Sequence, residues 1–253
     1  MVTVTEAQLL AWLNPLLWPF IRTLAVFSAL PVLGTRTVPV RVRVALAAFV
    51  ALAAQPSLPE MPVVPLDSPL AFMLIAQQVV IGLSIGFAVR VVFAAVEFAG
   101  EFIGLQMGLN FAGFFDPVSA SAGTATGRFY GTMVAWLFIV INGHLLVLMA
   151  LMQSFSAFPV GPEPFAFVRQ TLPHLWGAEI FRIGLWIALP LIAMLLFVNL
   201  VLGLISRVAS QINIFAIGFP VTLGVGLIGM LATLPLLAQP FTMALERLLE
   251  QFR

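Results

Sequence analysis

The helical pattern that begins near Leu70 meets no breaker until about Asn110, and it carries no charged side chain before Arg90. At about 1.5 Å of rise per residue such a helix is roughly 60 Å long, twice the hydrocarbon thickness of a bilayer. It must therefore protrude, kink or sit outside the bilayer. An ordinary water-soluble domain cannot house it either. Only 8% of the residues are charged and 62% are hydrophobic, whereas soluble domains carry about 25% charge and about 45–50% apolar residues. The mean hydropathy is +1.12. A soluble domain of this size still exposes about a quarter of its unfolded surface, so lipid or partner proteins have to supply the missing polar cover.

Around the long helix the chain reads as an all-α membrane protein, one domain over residues 1–253. About six apolar segments are expected, at 9–33, 44–54, 70–110, 129–158, 183–206 and 214–237. The first is interrupted by Pro15, Pro19 and Arg22. The tail, 241–253, carries Glu246, Arg247, Glu250 and Arg253 and reads as a short amphipathic helix. No basic region precedes the first apolar run, so no cleaved signal peptide is expected. Arg36, Arg41 and Arg43 lie in one acid-free connection, which predicts a cytoplasmic loop. The proline-rich connection 55–69, with Glu60 and Asp67, is expected on the other side, as is the N-terminus. Prolines inside apolar runs, at Pro190, Pro220 and Pro235, free backbone groups that need neighbouring helices or water.

Several function classes drop out. A net charge of +1 without a basic patch excludes nucleic acid as a partner. With no cysteine there are no disulfides, thiolate metal sites or cysteine nucleophiles. No phosphate loop or metal-ligand cluster is present, and no cofactor is expected. Gly82-Leu83-Ser84-Ile85-Gly86 matches G-x-S-x-G, but that motif needs a strand–turn–helix elbow and here lies inside an apolar helix. The match is read as chance, and the chain as a non-enzyme. Asn142-Gly143-His144 in the fourth run, and Asn199, Arg207, Gln211 and Asn213 around the fifth, read as hydrogen-bonded helix residues and turns.

The long helix carries a stripe. Gly86, Arg90, Ala94, Glu97, Glu101, Gly104 and Gly108 follow at spacings of three or four and line one face. Gly86, Gly100 and Gly104 are read as subunit-packing positions, because small residues let another backbone approach closely. Glu97 and Glu101 are like charges one turn apart, which an aqueous lumen or a cation would relieve. Ionisable groups in apolar segments mark a pathway or a buried pair, so Arg90, Glu97 and Glu101 face a lumen or join an intersubunit ion pair. After this helix comes Gly108-Leu109-Asn110-Phe111-Ala112-Gly113-Phe114-Phe115-Asp116-Pro117. Gly113 and Pro117 argue for irregular backbone. Such backbone at membrane depth is tolerated only where protein buries it or it lines a cavity. A loop this rich in phenylalanine would close a pore by steric block and dewetting; the plain alternative is a loop that dips into lipid.

In order along the chain, several motifs resemble the FliR family of flagellar type III export-gate proteins, which is related to a virulence-injectisome branch. They are Val38-Pro39-Val40-Arg41-Val42-Arg43; Glu101-Phe102-Ile103-Gly104-Leu105-Gln106-Met107-Gly108 leading into Phe115-Asp116-Pro117; and Asn142-Gly143-His144 with Ser154-Phe155. Ala188-Leu189-Pro190 with Asn199-Leu200 follows, and then Gln211-Ile212-Asn213-Ile214-Phe215-Ala216-Ile217-Gly218-Phe219-Pro220. Ser210 departs from the proline the family commonly has before that glutamine. The resemblance covers essentially the whole chain, and the last run looks flagellar. It implies bent helical hairpins packed with FliP and FliQ into a helical export gate in the bacterial inner membrane, at the flagellar basal body. Unfolded flagellar subunits would pass through that gate, and other export-apparatus membrane proteins would adjoin it. It also implies a pore plug at Gly108, Asn110, Phe111, Gly113, Phe114, Phe115, Asp116 and Pro117. Three alternatives stay open: a small-solute secondary transporter, a hydrolase using Ser84 and His144, and the equivalent injectisome subunit.

Overall fold

The computed structural model describes residues 6–109, 123–161, 163, 166–209 and 214–253, and among these it holds helices and turns but no strand. The helices are α1 (Glu6–Ala29), α2 (Val40–Ala54), α3 (Pro69–Gln106), α4 (Ala125–Val140), α5 (Gly143–Ala157), α6 (Ala166–Thr171), α7 (Gly177–Val208), α8 (Ile214–Thr233) and α9 (Ala238–Leu249). The fold is all-α. Four helical stretches are long and apolar enough to cross a membrane, or five if the pair broken at Asn142 is one span, counted among the described residues. The stretch read as one segment at 129–158 is two helices, α4 and α5. Asn142 adopts the left-handed conformation, φ 57°, which asparagine tolerates better than most residues and which cannot continue a right-handed helix.

The chain forms two compact units: 1–90 with 142–176 and 245–253, and 91–141 with 177–244. In the first unit α1 presents Asn14, Trp18 and Arg22, four residues apart and therefore on one face, and all three are fully buried. A buried polar group is costly unless it is hydrogen-bonded. Asn14 Nδ2 donates to the Val64 carbonyl at 3.1 Å and Trp18 Nε1 to the Pro62 carbonyl at 3.1 Å, which pins the proline-rich connection to α1. Trp18 packs there with Val64, Ala71 and Leu74.

Arg22 is the centre of this unit. Its Nε donates to Gln78 Oε1 of α3 at 2.8 Å. Nη1 donates to the Ser154 carbonyl at 2.8 Å and to Ser154 Oγ at 2.9 Å, and Nη2 to the Phe158 carbonyl at 2.9 Å. The guanidinium carbon lies 3.8 Å from the centre of the Phe155 ring. Ser154 and Phe158 are the last turn and C-cap of α5, where the helix dipole favours a cation. One side chain thus joins α1, α3 and α5, with no acidic partner among the described residues. The α1–α3 contact is close because Gly82 meets the Arg22 carbonyl and Ala25, and Gly86 meets Ala29 and the Val26 carbonyl. Further along, Phe167 stacks on Phe252 at 5.6 Å, and Trp176 meets Phe252 edge-on at 5.7 Å.

In the second unit the later part of α3, from Val91, packs with α4, α7, α8 and the start of α9. Phe93 meets Phe138 at 5.5 Å and Phe241 at 5.8 Å, both edge-on. Gly184 of α7 lies against the Ala95 carbonyl and Phe98. Helices α7 and α8 pack as a hairpin, with Gly229 against Met194 and Leu191. On α7, Trp186, Phe197 and Leu200 stay 61%, 65% and 61% exposed.

Arg22→Met removes four hydrogen bonds and leaves the Phe158 carbonyl and Gln78 Oε1 buried without this partner. Hydrogen bonds to charged groups are worth about 1.5–3 kcal/mol each, so the apparent melting temperature in detergent should fall by roughly 10 °C. Arg22→Lys should fall nearly as far, since an ammonium cannot span the same fork of acceptors. An unchanged melt in both variants contradicts the central role of this residue.

Candidate functional site

The stripe residues fall on described parts of α3. Arg90 is exposed and stands at the rim of a shallow cavity of about 360 Å³ with Ala29, Leu83, Ser84 and Phe87. Gly86, Gly100 and Gly104, read as packing positions toward other subunits, meet helices of this same chain. Gly86 lies against α1. Gly100 lies against the Thr126 carbonyl, Tyr130 and Gly127 of α4, and Gly104 against the hydroxyls of Thr126 and Thr124. The physical reason is the one that flagged them: a missing Cβ admits a neighbouring helix, and spacing alone does not say whose.

Glu97 and Glu101 of α3 also pack against the α4 side. Glu97 faces Gly131, and the Glu101 carboxylate faces Gly127 and Gly123. Gly123, Gly127 and Gly131 are four residues apart, so they form a track on which the two carboxylates rest. As α3 numbers rise from 97 to 104, their α4 partners fall from 131 to 124, so the helices run antiparallel. The repulsion expected between the two acids is offset at Glu101 by backbone. Its Oε1 and Oε2 accept from the Thr124 N–H at 2.9 and 3.1 Å. Thr124 is the N-cap of α4, and its own Oγ1 accepts from the Gly127 N–H at 3.0 Å. A carboxylate at a helix N-terminus is favoured by the dipole, and its hydrogen bonds are charge-assisted.

This contact is made by Gly123 and Thr124, the first residues described after the phenylalanine-bearing segment. At the entry, α3 ends in a Schellman motif. The Leu109 N–H donates to the Gly104 carbonyl at 3.0 Å and the Gly108 N–H to the Leu105 carbonyl at 3.1 Å. Gly108 supplies the left-handed residue this requires, φ 82°. At the exit Gly123 also has positive φ, 81°, and a Cβ there would lie 2.7 Å from Glu101 Oε1. Asn110, Phe111, Gly113, Phe114, Phe115, Asp116 and Pro117 lie outside the described residues. Thr222 Oγ1 of α8 donates to the Met107 carbonyl at 3.4 Å, a further tie to the entry.

The Gly82–Gly86 motif lies within continuous α3. Its glycines are accounted for by the close approach of α1, and no hydrogen bond joins Ser84 to His144. Two features escaped the sequence reading. The Arg22 network left a signal in the spacing of Asn14, Trp18 and Arg22, and the α4 track left one in the spacing of its three glycines.

A long apolar helix and glycine-mediated packing of its neighbours define a membrane-embedded helical protein. The family model described as bacterial export proteins, family 1, matches residues 13–248, and the chain belongs to that family. Its relatives make the branch specific. The flagellar biosynthetic protein FliR of Escherichia coli (strain K12) is 46% identical over 244 residues, 95% of this chain and 92% of that protein. The FliR of Pectobacterium carotovorum is 38% identical over 237 residues, 94% and 90% of the two chains. The FliR of Bacillus subtilis (strain 168) is 32% identical over 218 residues, 83% and 82%. The chain is thus a member of the FliR family, a structural component of flagellar protein export and not an enzyme.

Ser84→Ala should leave export and stability unchanged, within about 0.5 kcal/mol, because Ser84 only lines an open cavity. Gly82→Val should abolish accumulation of the folded protein, since it drives a side chain into α1. Swimming-halo diameter and immunoblot levels check both. Loss of export with normal levels in the Ser84 variant revives the hydrolase reading.

Proposed function

We propose that this chain is a core subunit of the flagellar export gate, assembled with FliP and FliQ proteins in the bacterial inner membrane at the flagellar basal body. Its part is that of conduit and closure. Unfolded flagellar subunits pass through the assembled channel, and the loop 108–117 plugs it at rest through Phe111, Phe114 and Phe115. Family membership supports the export role. The observation that supports the plug is that both flanks of the phenylalanine-bearing segment are held on one helix, by a Schellman stop before it and a carboxylate-held helix cap after it.

The chemistry asked of such a plug is modest. Apolar side chains in a narrow lumen exclude water and ions by dewetting and volume, and a passing chain has only to push them aside. No nucleotide or proton-relay signature lies in the sequence, so the drive for export comes from other components. The flagellar branch is favoured over the injectisome branch because the relatives above carry flagellar names. Partner subunits and lipid then share the apolar surface of α2 and α7, which the rest of the described chain leaves largely exposed.

Deleting 110–115 in the assembled complex should raise ion leakage across the membrane several-fold, and replacing Phe111, Phe114 and Phe115 together by serine should raise it less. Conductance of cells or reconstituted vesicles carrying the complex measures this. Leakage equal to the parent complex in both variants, at equal assembly, rules out the plug.

A further inference from the structure

We propose that one end of the first unit, which carries Arg36, Arg41, Arg43 and Arg90, is a contact surface for the headgroups of anionic phospholipids. The outer faces of α2 and of the first half of α3 lie in the acyl chains beneath it. This surface stands or falls independently of the plug.

The contacts of this unit fix which way its helices run. Asn14 and Trp18 of α1 reach Val64 and Pro62, just before α3. Arg22 reaches Gln78, and Ala25 and Ala29 lie against Gly82 and Gly86. The numbers rise together, so α1 and α3 are parallel. Helix α2 packs on α1 and returns the chain from the end of α1 to the start of α3, so it runs the opposite way. Charge is sorted as a result. Arg36 in the α1–α2 connection, Arg41 and Arg43 at the start of α2, and Arg90 one turn beyond Gly86 come to one end; Glu60 and Asp67 come to the other. Between the ends, residues 44–59 and 70–89 carry no charge. On α3 that run rises about 30 Å, the thickness of a bilayer's hydrocarbon core. Arg22 lies between the ends but is fully buried on its neutral acceptors.

This pattern says what covers the outer faces. Val42, Leu46 and Phe49 of α2 and Phe72, Leu83 and Phe87 of α3 are exposed, and the apolar band ends at the arginines. A partner protein does not require a band of hydrocarbon thickness with cations at one border and acids at the other, whereas a bilayer does. The ion pair found among the described residues, Arg182 with Glu179, involves none of the four arginines. Arg36, Arg41 and Arg90 are exposed. Arg43 is half-buried; its Nη2 donates to the Val38 carbonyl at 3.3 Å and its Nε has no partner among the described residues. Arginines at the start of α2 stand against the positive end of the helix dipole, and no acid in that turn relieves them. An anion from outside the chain relieves both, and a lipid phosphate is the anion that a bilayer brings to this level. The cavity lined by Ala29, Leu83, Ser84 and Phe87 opens on the apolar side of Arg90, where an acyl chain begins.

The test uses the chain purified within its membrane complex and reconstituted in nanodiscs of equal parts phosphatidylglycerol and phosphatidylcholine, with native mass spectrometry counting the lipids that stay bound. The parent complex should retain phosphatidylglycerol in preference. The preference should fall by about fivefold for each of Arg36→Gln, Arg41→Gln and Arg90→Gln, the gain an anionic surface gives per basic residue. Lysine at all three positions should keep it, since an ammonium also meets a phosphate, and added salt should weaken it. No preference in the parent complex overturns the proposal, as does a preference that the three glutamine substitutions together leave unchanged. Equal binding of both lipids by the parent, with loss of a partner subunit from the triple glutamine variant, also overturns it and assigns the arginines to acidic groups of that partner. If the triple variant does not assemble, the three single variants decide by the same comparison.

Discussion

The first unit depends on one buried cation. Burying a guanidinium without an acid is expensive, and this chain offsets the cost with neutral acceptors gathered at the end of one helix and on another. The end of α5 supplies two backbone carbonyls and Ser154, α3 supplies Gln78, and Phe155 supplies a ring face. Because those groups belong to helices far apart in sequence, the guanidinium is satisfied only when α1, α3 and α5 are all in place. A carboxylate partner would bind Arg22 more simply and from a single helix. The neutral set makes the interaction a test of correct three-helix assembly, in a chain whose apolar helices otherwise have few specific ways to choose neighbours.

Close packing supplies the rest of that specificity. Along α3, glycines admit α1 at Gly82 and Gly86 and α4 at Gly100 and Gly104. The complementary track on α4 accepts the two acids of α3. Helix association in an apolar setting gains little from burial alone, so close backbone approach and polar contacts decide register. Each unit combines both: Arg22 beside the glycines that meet α1, and Glu101 beside those that meet α4.

Much of this was legible in the sequence, and the parts that were not share a cause. The all-α class and the overlong α3 follow from hydrophobic runs longer than any soluble core requires. The small-residue stripe on α3 was readable because 3.6-residue periodicity fixes a face. Whose helix that face meets was not readable, because Gly86, Gly100 and Gly104 admit any backbone, and the structure shows the chain's own. Arg22 read only as an interruption of an apolar run, since two of its acceptors are backbone carbonyls that leave no trace in residue identity and the other two, Gln78 and Ser154, are distant neutral residues. Asn142 was visible as a polar residue in an apolar stretch, but its identity alone does not say that it turns left-handed and ends the helix. Glu101 was singled out as an ionisable group awaiting a partner. Its partner proved to be the Thr124 N–H, equally invisible in the sequence.

The apolar surface that no described residue covers, on α2 and α7 above all, is left for lipid or partner subunits. Intact-mass measurement of the chain extracted in mild detergent and captured through a tag on it addresses that directly. The account predicts a hetero-oligomer containing FliP and FliQ proteins with this chain, and essentially no free chain. A monomer or a homo-oligomer carrying only lipid and detergent would contradict it.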